Sequence, residues 1–289
     1  MAFITSKKKP SYFTYSNGFI IPQKLYIPGH LEESLTYKPK DDDVFIATYP
    51  KCGTTWTQYI LYLMLSNGVP LSSDEDFYSI SPHLEDNGKQ AVNSRPSPRL
   101  IKTHLPYHLV PKSNKARYIY ITRNPKDCCV SFYYHTIGFG KVYDFEGGTF
   151  DDFFDVFFEG SVDGGDYFDH LLSYYRHRND PNVLFLLYEE LIRDCEECVL
   201  RIGNFLGGPF SDAINDPKVL QNVLKYSSFH EMKKLPLWTN RPKDLQFIRK
   251  GIVGDWKSCL SKEQSEKLDQ KFNSKLNGTG AENLWQNLC

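Results

Sequence analysis

A short stretch at residues 44–56, VFIATYPKCGTTW, constrains the fold of this chain more than any other. Its apolar opening, residues 44–47, predicts a strand that is buried on both faces. A turn containing Lys51 and Gly53 follows, and a helix is predicted over residues 56–65. A strand, a tight turn and a helix in this order predict an anion site, because backbone N–H groups and the helix dipole face the ligand.

Strands and helices alternate along the rest of the chain. Further buried strands are predicted at residues 99–106, 116–122 and 183–188. Helices are predicted at residues 125–136, 189–205 and 261–276. This alternation indicates right-handed crossovers between parallel strands. We therefore predict one α/β domain over residues 1–289, with a mainly parallel sheet flanked by helices and a P-loop-like turn.

Three segments do not fit this alternation. Residues 1–40 are punctuated by prolines and predict an irregular lead-in. Residues 71–98 and 234–255 are too long for simple connections, so we expect them to be pocket or lid loops.

Chemically active residues follow the predicted strands at the points where those strands end. Ligands of parallel sheets bind at the carboxyl ends of the strands. One such residue lies just past each of four strands, which predicts a shared site containing Lys51, His104, Arg123 and Tyr188.

The overall charge and the cysteine count narrow the class of protein. The chain has 34 basic and 35 acidic residues, so it lacks the basic excess of a nucleic-acid surface. The sequence has no apolar run of about 18 residues, so no membrane span is predicted. The amino terminus lacks the apolar region of a secretory signal. The odd number of cysteines, 7, adds to these features, and together they predict a cytoplasmic protein with free thiols.

The turn at Lys51 is not the Walker A motif of nucleoside triphosphate-binding proteins. That motif places its lysine after the second glycine, whereas Lys51 precedes Gly53. No Walker B acid is evident at a strand end either. A metal-bound triphosphate is therefore not supported, and no metal is expected.

Three later motifs accompany the turn in a fixed order: KTHLP at residues 102–106, RNPKDCCVSFYYH at 123–135 and FIRKGIVGDW at 247–256. Together with TYPKCGTTW they resemble the signature regions of the cytosolic sulfotransferases. The resemblance spans residues 44–256. It implies a phosphosulfate-binding turn in the α/β fold described above.

The resemblance implies binding of 3′-phosphoadenosine 5′-phosphosulfate, or PAPS, with 3′-phosphoadenosine 5′-phosphate, or PAP, as the product. The positions that match the phosphosulfate turn are Lys51, Cys52, Gly53, Thr54, Thr55 and Trp56. Those that match the 3′-phosphate site are Arg123, Ser131, Arg249, Lys250 and Gly251. Those that match the adenine site and its surroundings are Trp56, Tyr188, Ser227, Phe229, Phe247 and Ile248.

Sulfuryl transfer needs a base at the acceptor and a cation at the leaving phosphate. The family's catalytic histidine corresponds to His104, and Lys102 lies two residues before it. Lys51 suits the leaving phosphate. A histidine with an unperturbed pKa of about 6.5 is suited to act as a general base near neutral pH. Four other histidines have no motif support and are interpreted as structural, although one of them, His135, lies near the predicted pocket: His83, His108, His135 and His170.

Three positions depart from the family pattern. Ser227 stands where threonine is common, and its hydroxyl is expected to keep the same contact. Cys52 stands where serine is common, and a thiol beside Lys51 and a helix amino terminus is expected to have a lowered pKa and to react with oxidants. Lys262 replaces the valine of the family's short dimer motif. A charge in place of an apolar contact predicts a weak homodimer or a monomer.

The acceptor is left open among small, largely apolar molecules: a phenol, a monoamine or catecholamine, or a sterol. The predicted pocket loops at residues 17–30, 76–92, 135–147 and 233–248 are rich in aromatic and aliphatic residues. The acids in or next to these loops either select a cationic amine or are solvated charges, and the second interpretation is favoured because exposed acids are common. These acids are Asp74, Glu75, Asp76, Glu85, Asp86, Asp144 and Glu146.

Two alternative functions stay open at this point. The first is a PAPS- or nucleotide-binding protein that has lost its catalytic activity, which the intact Lys51, His104 and Arg249 disfavour. The second is a nucleotide kinase, which the missing Walker motifs disfavour more strongly.

Overall fold

Six strands are present in a computed structural model of the chain, which describes residues 7–24, 27–72, 77–235, 248–286 and 288. Four of them form a parallel sheet in the order β4-β3-β5-β6. The other two form an antiparallel hairpin. The strands in chain order are β1 Tyr12–Thr14, β2 Ile20–Pro22, β3 Val44–Thr48, β4 Leu100–Thr103, β5 Arg117–Thr122 and β6 Val183–Leu187.

Helices connect these strands and cover both faces of the sheet. Those before the crossover to β5 are α1 His30–Leu35, α2 Thr54–Leu65, α3 Phe77–Ile80 and α4 Leu84–Asn93. Those between β5 and β6 are α5 Pro125–Gly138, α6 Gly140–Tyr143, α7 Phe150–Glu159 and α8 Tyr167–Tyr175. Those after β6 are α9 Tyr188–Arg193, α10 Cys195–Leu206, α11 Gly208–Asn215, α12 Pro217–Tyr226, α13 Phe229–Met232 and α14 Lys262–Leu276. Short 3-10 helices lie at Asp255–Ser258 and Ala281–Asn283.

Two hydrophobic cores lie on opposite faces of the sheet. Alternate residues of a strand point to opposite faces. Phe45 of β3 and Tyr118 of β5 therefore join one core, with their rings stacked at 4.9 Å, while Ile46 and Ile119 join the other. Because both faces are buried, the strands consist of nearly continuous apolar residues. The predicted fold class, a mainly parallel sheet flanked by helices, is confirmed.

The long helix predicted over residues 189–205 is two helices. Asp194 has non-helical backbone angles, φ −147° and ψ 84°, and its carboxylate accepts a hydrogen bond from the backbone N–H of Glu197 at 3.0 Å. A carboxylate at this position caps the start of a helix. The apolar periodicity continued across the break, so it did not reveal that α9 ends and α10 begins there.

Two segments predicted to be irregular contain regular elements. Residues 1–40 hold the hairpin of β1 and β2 and the helix α1. The three-residue strands are too short for a periodic signal, and Pro22 fits there because it ends a strand of a two-stranded hairpin. Residues 71–98 hold α3 and α4, the latter kinked where Gly88 has φ 75°. Residues 73–76 of the first predicted lid and residues 236–247, about half of the second, lie outside the described residues.

Candidate active site

The turn after β3 has the geometry of an anion site. Lys51 has a left-handed φ of 72° and Gly53 a φ of 104°, and α2 begins directly afterwards. A Cβ atom on Gly53 would lie 3.0 Å from the ring of Tyr188, so this position needs glycine for space as well as for φ. Thr54, Thr55 and Trp56 form the first turn of α2, with the Trp56 ring 5.7 Å from that of Tyr188.

His104 follows β4 and is joined to the last residue of β3. Its ring Nδ1 lies 2.8 Å from the main-chain oxygen of Thr48. We assign the ring proton to Nδ1, which donates to this carbonyl and leaves Nε2 as a proton acceptor. The Thr48 hydroxyl also hydrogen bonds to the hydroxyl of Thr54 at 2.6 Å. The base is therefore tied directly to the predicted phosphosulfate turn.

The surroundings of His104 give its side chain a pKa that differs from the one expected from the sequence. The side chain is only 7% exposed. Burial lowers the pKa of His104 well below its usual value, and the charge of nearby Lys102 lowers it further. The prediction of an unperturbed pKa is therefore wrong. The imidazole is neutral at physiological pH, and this is the form that accepts a proton.

Two buried side chains hold the backbone of His104. The Glu85 carboxylate accepts hydrogen bonds from the His104 N–H at 2.6 Å and from the Thr103 hydroxyl at 2.8 Å. The His170 Nε2 donates to the His104 main-chain oxygen at 3.1 Å, and its Nδ1 accepts from the Tyr120 hydroxyl at 3.0 Å. Burial raises the pKa of Glu85 to about 7 and lowers that of His170 to about 4. These contacts fix the direction of the base.

The interpretation of Glu85 as a solvated loop charge is wrong, because its side chain is fully buried. That interpretation holds for Asp144 and Glu146, which are exposed. Residues 74–76 lie outside the described part of the chain. No local pattern indicates that Glu85 binds the backbone of His104, because the contact crosses from α4 to the end of a strand.

Three histidines that were interpreted as structural lie at the site. His170 holds the His104 backbone, as described. The His83 ring lies 5.0 Å from the His104 ring, and His135 Nδ1 lies 3.4 Å from the Lys51 Nζ. Burial lowers the pKa of His83 and of His135 well below the usual value, so both rings are neutral. His108 is exposed.

The predicted 3′-phosphate residues gather around the start of α5. The Arg123 guanidinium stacks on the Tyr188 ring at 4.4 Å and donates to the Ile252 carbonyl at 3.3 Å. Its Nε is buried and has no hydrogen-bond partner within the described chain. The Arg249 guanidinium lies 4.4 Å from the ring of Tyr134, one helical turn beyond Ser131. The structure therefore brings Arg123, Ser131 and Arg249 to the same helix.

Asp127 is a further member of this region that the motifs did not identify. Its carboxylate accepts hydrogen bonds from the backbone N–H of Gly254 at 2.7 Å and of Trp256 at 2.9 Å. These contacts dock the loop carrying Arg249 against α5. Glu189 acts similarly, because it bonds the N–H of Asn124 at 2.8 Å and the indole N–H of Trp285 at 2.9 Å.

Arg249 and Lys250 both form ion pairs with Asp255. Burial acts to raise the pKa of Asp255, but the hydrogen bonds from Lys250 and Arg249 outweigh it, and the pKa is lowered. The carboxylate therefore holds both cations in place. A phosphate that binds here must share them with Asp255.

The remaining predicted cofactor residues differ in their placement. Gly251 lies against Phe229, since a Cβ atom there would be 2.4 Å from the Phe229 ring. Ile248 packs against the core that contains Met232. Ser227, at the end of α12, is fully buried, and its hydroxyl has no hydrogen-bond partner in the described part of the chain. Phe247 lies outside the described residues.

Cys52 does not have the reactive thiol that was predicted. Its side chain is fully buried, and its Sγ lies 3.8 Å from the Sγ of Cys128. Burial raises the pKa of the Cys52 thiol well above its usual value, and the hydrogen bond with Cys128 raises it further. The side chain points into the core beneath the turn, so the helix dipole and Lys51 do not stabilise a thiolate.

Comparisons with known proteins match this arrangement. The model of the sulfotransferase domain matches residues 41–280. The chain belongs to the sulfotransferase family. An amine sulfotransferase of Oryctolagus cuniculus is 37% identical over 88% of this chain and 87% of its own length. Sulfotransferase 2B1 of Mus musculus is 37% identical over 92% of this chain and 81% of its own length.

A solved sulfotransferase structure agrees with the family assignment. Mouse sulfotransferase SULT7A1, complexed with PAP, superposes with a TM-score of 0.77 at 27% identity. The superposition covers 95% of this chain and 97% of the mouse protein. In the described part of this sulfotransferase, no group of three His, Cys, Asp or Glu side chains is arranged to hold a metal ion. No described helix has the length and apolar character needed to cross a membrane.

Proposed function

We propose that the protein transfers the sulfuryl group of PAPS to a hydroxyl or amine of a small, largely apolar acceptor: a phenol, a monoamine or catecholamine, or a sterol. The observation that carries this proposal is the contact of His104 with Thr48. This contact supports the proposal, because His104 is hydrogen bonded to the strand that leads into the turn assigned to the donor phosphosulfate. The similarity to a PAP-bound sulfotransferase and to an amine sulfotransferase supports the same chemistry.

In this mechanism, Nε2 of His104 removes the proton from the acceptor as the hydroxyl or amine attacks the sulfur in line. Lys51 neutralises the negative charge that develops on the leaving phosphate. The backbone N–H groups at the start of α2 hold the equatorial oxygens. Lys102 adds a second positive charge on the acceptor side of His104. Positioning and charge neutralisation supply most of the rate, as in phosphoryl transfer.

Donor recognition is assigned to the residues that surround the turn and α5. We assign Arg123, Ser131, Arg249, Lys250 and Gly251 to the 3′-phosphate. The adenine is assigned to the aromatic group of Trp56, Tyr188 and Phe229, of which Trp56 and Tyr188 are in ring contact. Cys52, Gly53, Thr54 and Thr55 complete the turn, while Ser227, Phe247 and Ile248 stay at the level of resemblance.

A transfer assay tests the proposed activity. Labelled PAPS is incubated with the protein and a panel of phenols, monoamines and sterols, and the labelled product is measured. We expect transfer to at least one class. PAP binding in calorimetry without transfer to any acceptor would instead identify a binding protein without catalytic activity. Phosphorylation of a nucleoside from ATP would identify a kinase.

A binding experiment tests the assigned donor. PAP and AMP differ by the 3′-phosphate alone, so their affinities isolate the residues that hold it. We expect Arg249→Ala to weaken PAP binding about tenfold, the effect of one charge-assisted hydrogen bond, and to leave AMP unchanged. Lys262→Ala is the control, because this lysine is 91% exposed on α14. Equal loss for PAP and AMP would contradict the assignment.

The weak homodimer or monomer remains a prediction, which sedimentation at micromolar concentration tests. A cytoplasmic location also remains a prediction.

A further inference from the structure

Asp163 is a buried acid that neither the predicted donor site nor the base uses. It lies in the loop between α7 and α8 and is only 5% exposed. Its Oδ2 lies 3.5 Å from the Tyr143 hydroxyl, and its Oδ1 has no hydrogen-bond partner in the described part of the chain. A buried carboxylate oxygen without a partner is costly, so it points to a ligand that supplies one.

The loop of Asp163 packs directly against the residues that lead into the phosphosulfate turn. A Cβ atom on Gly164 would lie 3.0 Å from Pro50, and the Tyr49 hydroxyl donates to the Gly165 carbonyl at 2.9 Å. Tyr143, the partner of Asp163, has its ring 5.9 Å from that of His135, which in turn contacts Lys51. Asp163 therefore lies at the edge of the reaction centre.

The charges around Asp163 favour a cation. Burial lowers the pKa of Lys102, whereas the nearby carboxyl groups of Asp86, Glu85 and Asp163 act to raise it. Lys102 is the one lysine among these four groups. The imidazoles of His83, His104 and His135 have lowered pKa values and do not offset the acids. Burial raises the pKa of Asp163 to about 7, while the Lys102 charge lowers it. The acceptor side thus has more carboxyl groups than cations.

This excess of acid cannot serve the sulfuryl donor. The donor is a polyanion, and a nearby carboxylate repels it. Lys51, Arg123 and Arg249 are the cations assigned to the charge of the donor. The unpartnered Oδ1 is therefore available to the acceptor.

We propose that Asp163 binds a protonated amine of the acceptor, which makes the acceptor class a phenol that carries an alkylammonium group. The Tyr12 hydroxyl is buried, and burial together with the charge of nearby Asp163 raises the pKa of Tyr12. An ammonium has three N–H donors, so it can donate to Asp163 Oδ1 and to the Tyr12 oxygen together. It has no lone pair, so the amine anchors the molecule while the phenolic hydroxyl reacts at His104. This inference rests on the proposed sulfotransfer.

A matched pair of acceptors tests the proposal. Tyramine and 4-ethylphenol share the phenol and differ in the ammonium group. We expect wild-type kcat/KM to be at least about tenfold higher for tyramine, and Asp163→Asn to reduce this ratio about tenfold or more. The ratio cancels any general loss of active enzyme. Asp144→Asn is the control, because Asp144 is a surface acid on the preceding loop and should leave the ratio unchanged.

Three results would overturn the proposal. The first is a wild-type ratio near one, the second an unchanged ratio in Asp163→Asn, and the third an equal change in Asp144→Asn. If Asp163→Asn does not fold, calorimetry on the wild-type complex with PAP decides instead. We expect tyramine to bind at least about tenfold more tightly than 4-ethylphenol, and equal binding overturns the proposal.

The binding measurement also separates this inference from the proposed function. Tight tyramine binding without transfer to any acceptor would retain the ammonium site and reject the sulfotransferase activity. Transfer to sterols with no preference for tyramine would do the reverse.

Discussion

The Nδ1 atom of His104 lies 2.8 Å from the main-chain oxygen of Thr48, the last residue of β3. This contact joins His104, which follows β4, to the end of β3, the neighbouring strand that leads into the turn at Lys51. A carbonyl only accepts hydrogen bonds, so it keeps the imidazole proton on Nδ1 and presents Nε2 to the acceptor. The orientation of the base and the position of the turn are therefore set by the same backbone.

Replacing this base should remove turnover and spare donor binding. We expect His104→Ala to lower kcat about 10²- to 10⁴-fold, the usual contribution of general-base catalysis, with PAP affinity changed less than about threefold. Transfer assays and calorimetry measure the two effects. His108→Ala is the matched control, because His108 is exposed and only four residues away. Near-normal turnover in His104→Ala would show that another group is the base.

The pH dependence should reflect the lowered pKa of His104. A lowered pKa favours the neutral ring, so the base loses activity only when the pH falls below that lowered value. We expect kcat at saturating donor and acceptor to stay level as the pH falls through about 6.5, the value for an ordinary histidine. Stopped-time transfer assays over a pH series measure this.

Glu85 requires a separate control in that series, because its pKa of about 7 lies in the same range. Glu85→Gln cannot titrate, although its amide oxygen still accepts the two hydrogen bonds. A fall in kcat near pH 7 that disappears in Glu85→Gln belongs to Glu85. A fall near pH 6.5 that persists in this variant would contradict the lowered pKa of His104.

Gly53 should matter for donor binding beyond its backbone conformation. We expect Gly53→Ala to weaken PAP binding about tenfold, because the new Cβ displaces the Tyr188 ring from the adenine site. Gly147→Ala is a matched control: Gly147 also has positive φ, 73°, but its Cβ would meet nothing within 4 Å. Both variants should lose about 1–3 kcal/mol of unfolding free energy through backbone strain, measured in urea. Equal PAP affinities in the two variants would reject the role of close packing.

Cys52 should resist alkylation in the folded protein. Its thiol is buried and has a raised pKa, so the reactive thiolate is rare and inaccessible. We expect iodoacetamide to modify the half-buried Cys259 well before Cys52, as read by peptide mass spectrometry. Denatured protein provides the control, since both residues should then react at similar rates. Rapid modification of Cys52 in the native protein would restore the prediction of an oxidant-sensitive thiol.

The sequence determined the central sheet and most of the donor side. Four buried strands, the turn at Lys51 and the positions of His104, Arg123 and Tyr188 follow from local apolar runs and the polar residues directly after them. Such features depend on residues that are adjacent in the chain. Parallel strands bring their carboxyl ends to one edge of the sheet, whatever the conformation of the loops. The strands at β3 to β6 were therefore predictable within about three residues, the largest difference being the end of β4.

Only the tertiary structure decided the chemistry of the groups around the base. Glu85 and Asp163 are acids in loops or at helix starts, and nothing near them in sequence shows that both are buried close to Lys102. Burial is a property of the whole packed chain, and burial is what raises their pKa values to about 7 and lowers that of His104. Burial likewise raises the pKa of the Cys52 thiol, whereas the sequence predicted a lowered one. Residue types and spacing thus predicted a base at His104 and a donor turn at Lys51, whereas long-range packing sets the pKa of His104 and leaves Asp163 Oδ1 without a partner in the described part of the chain.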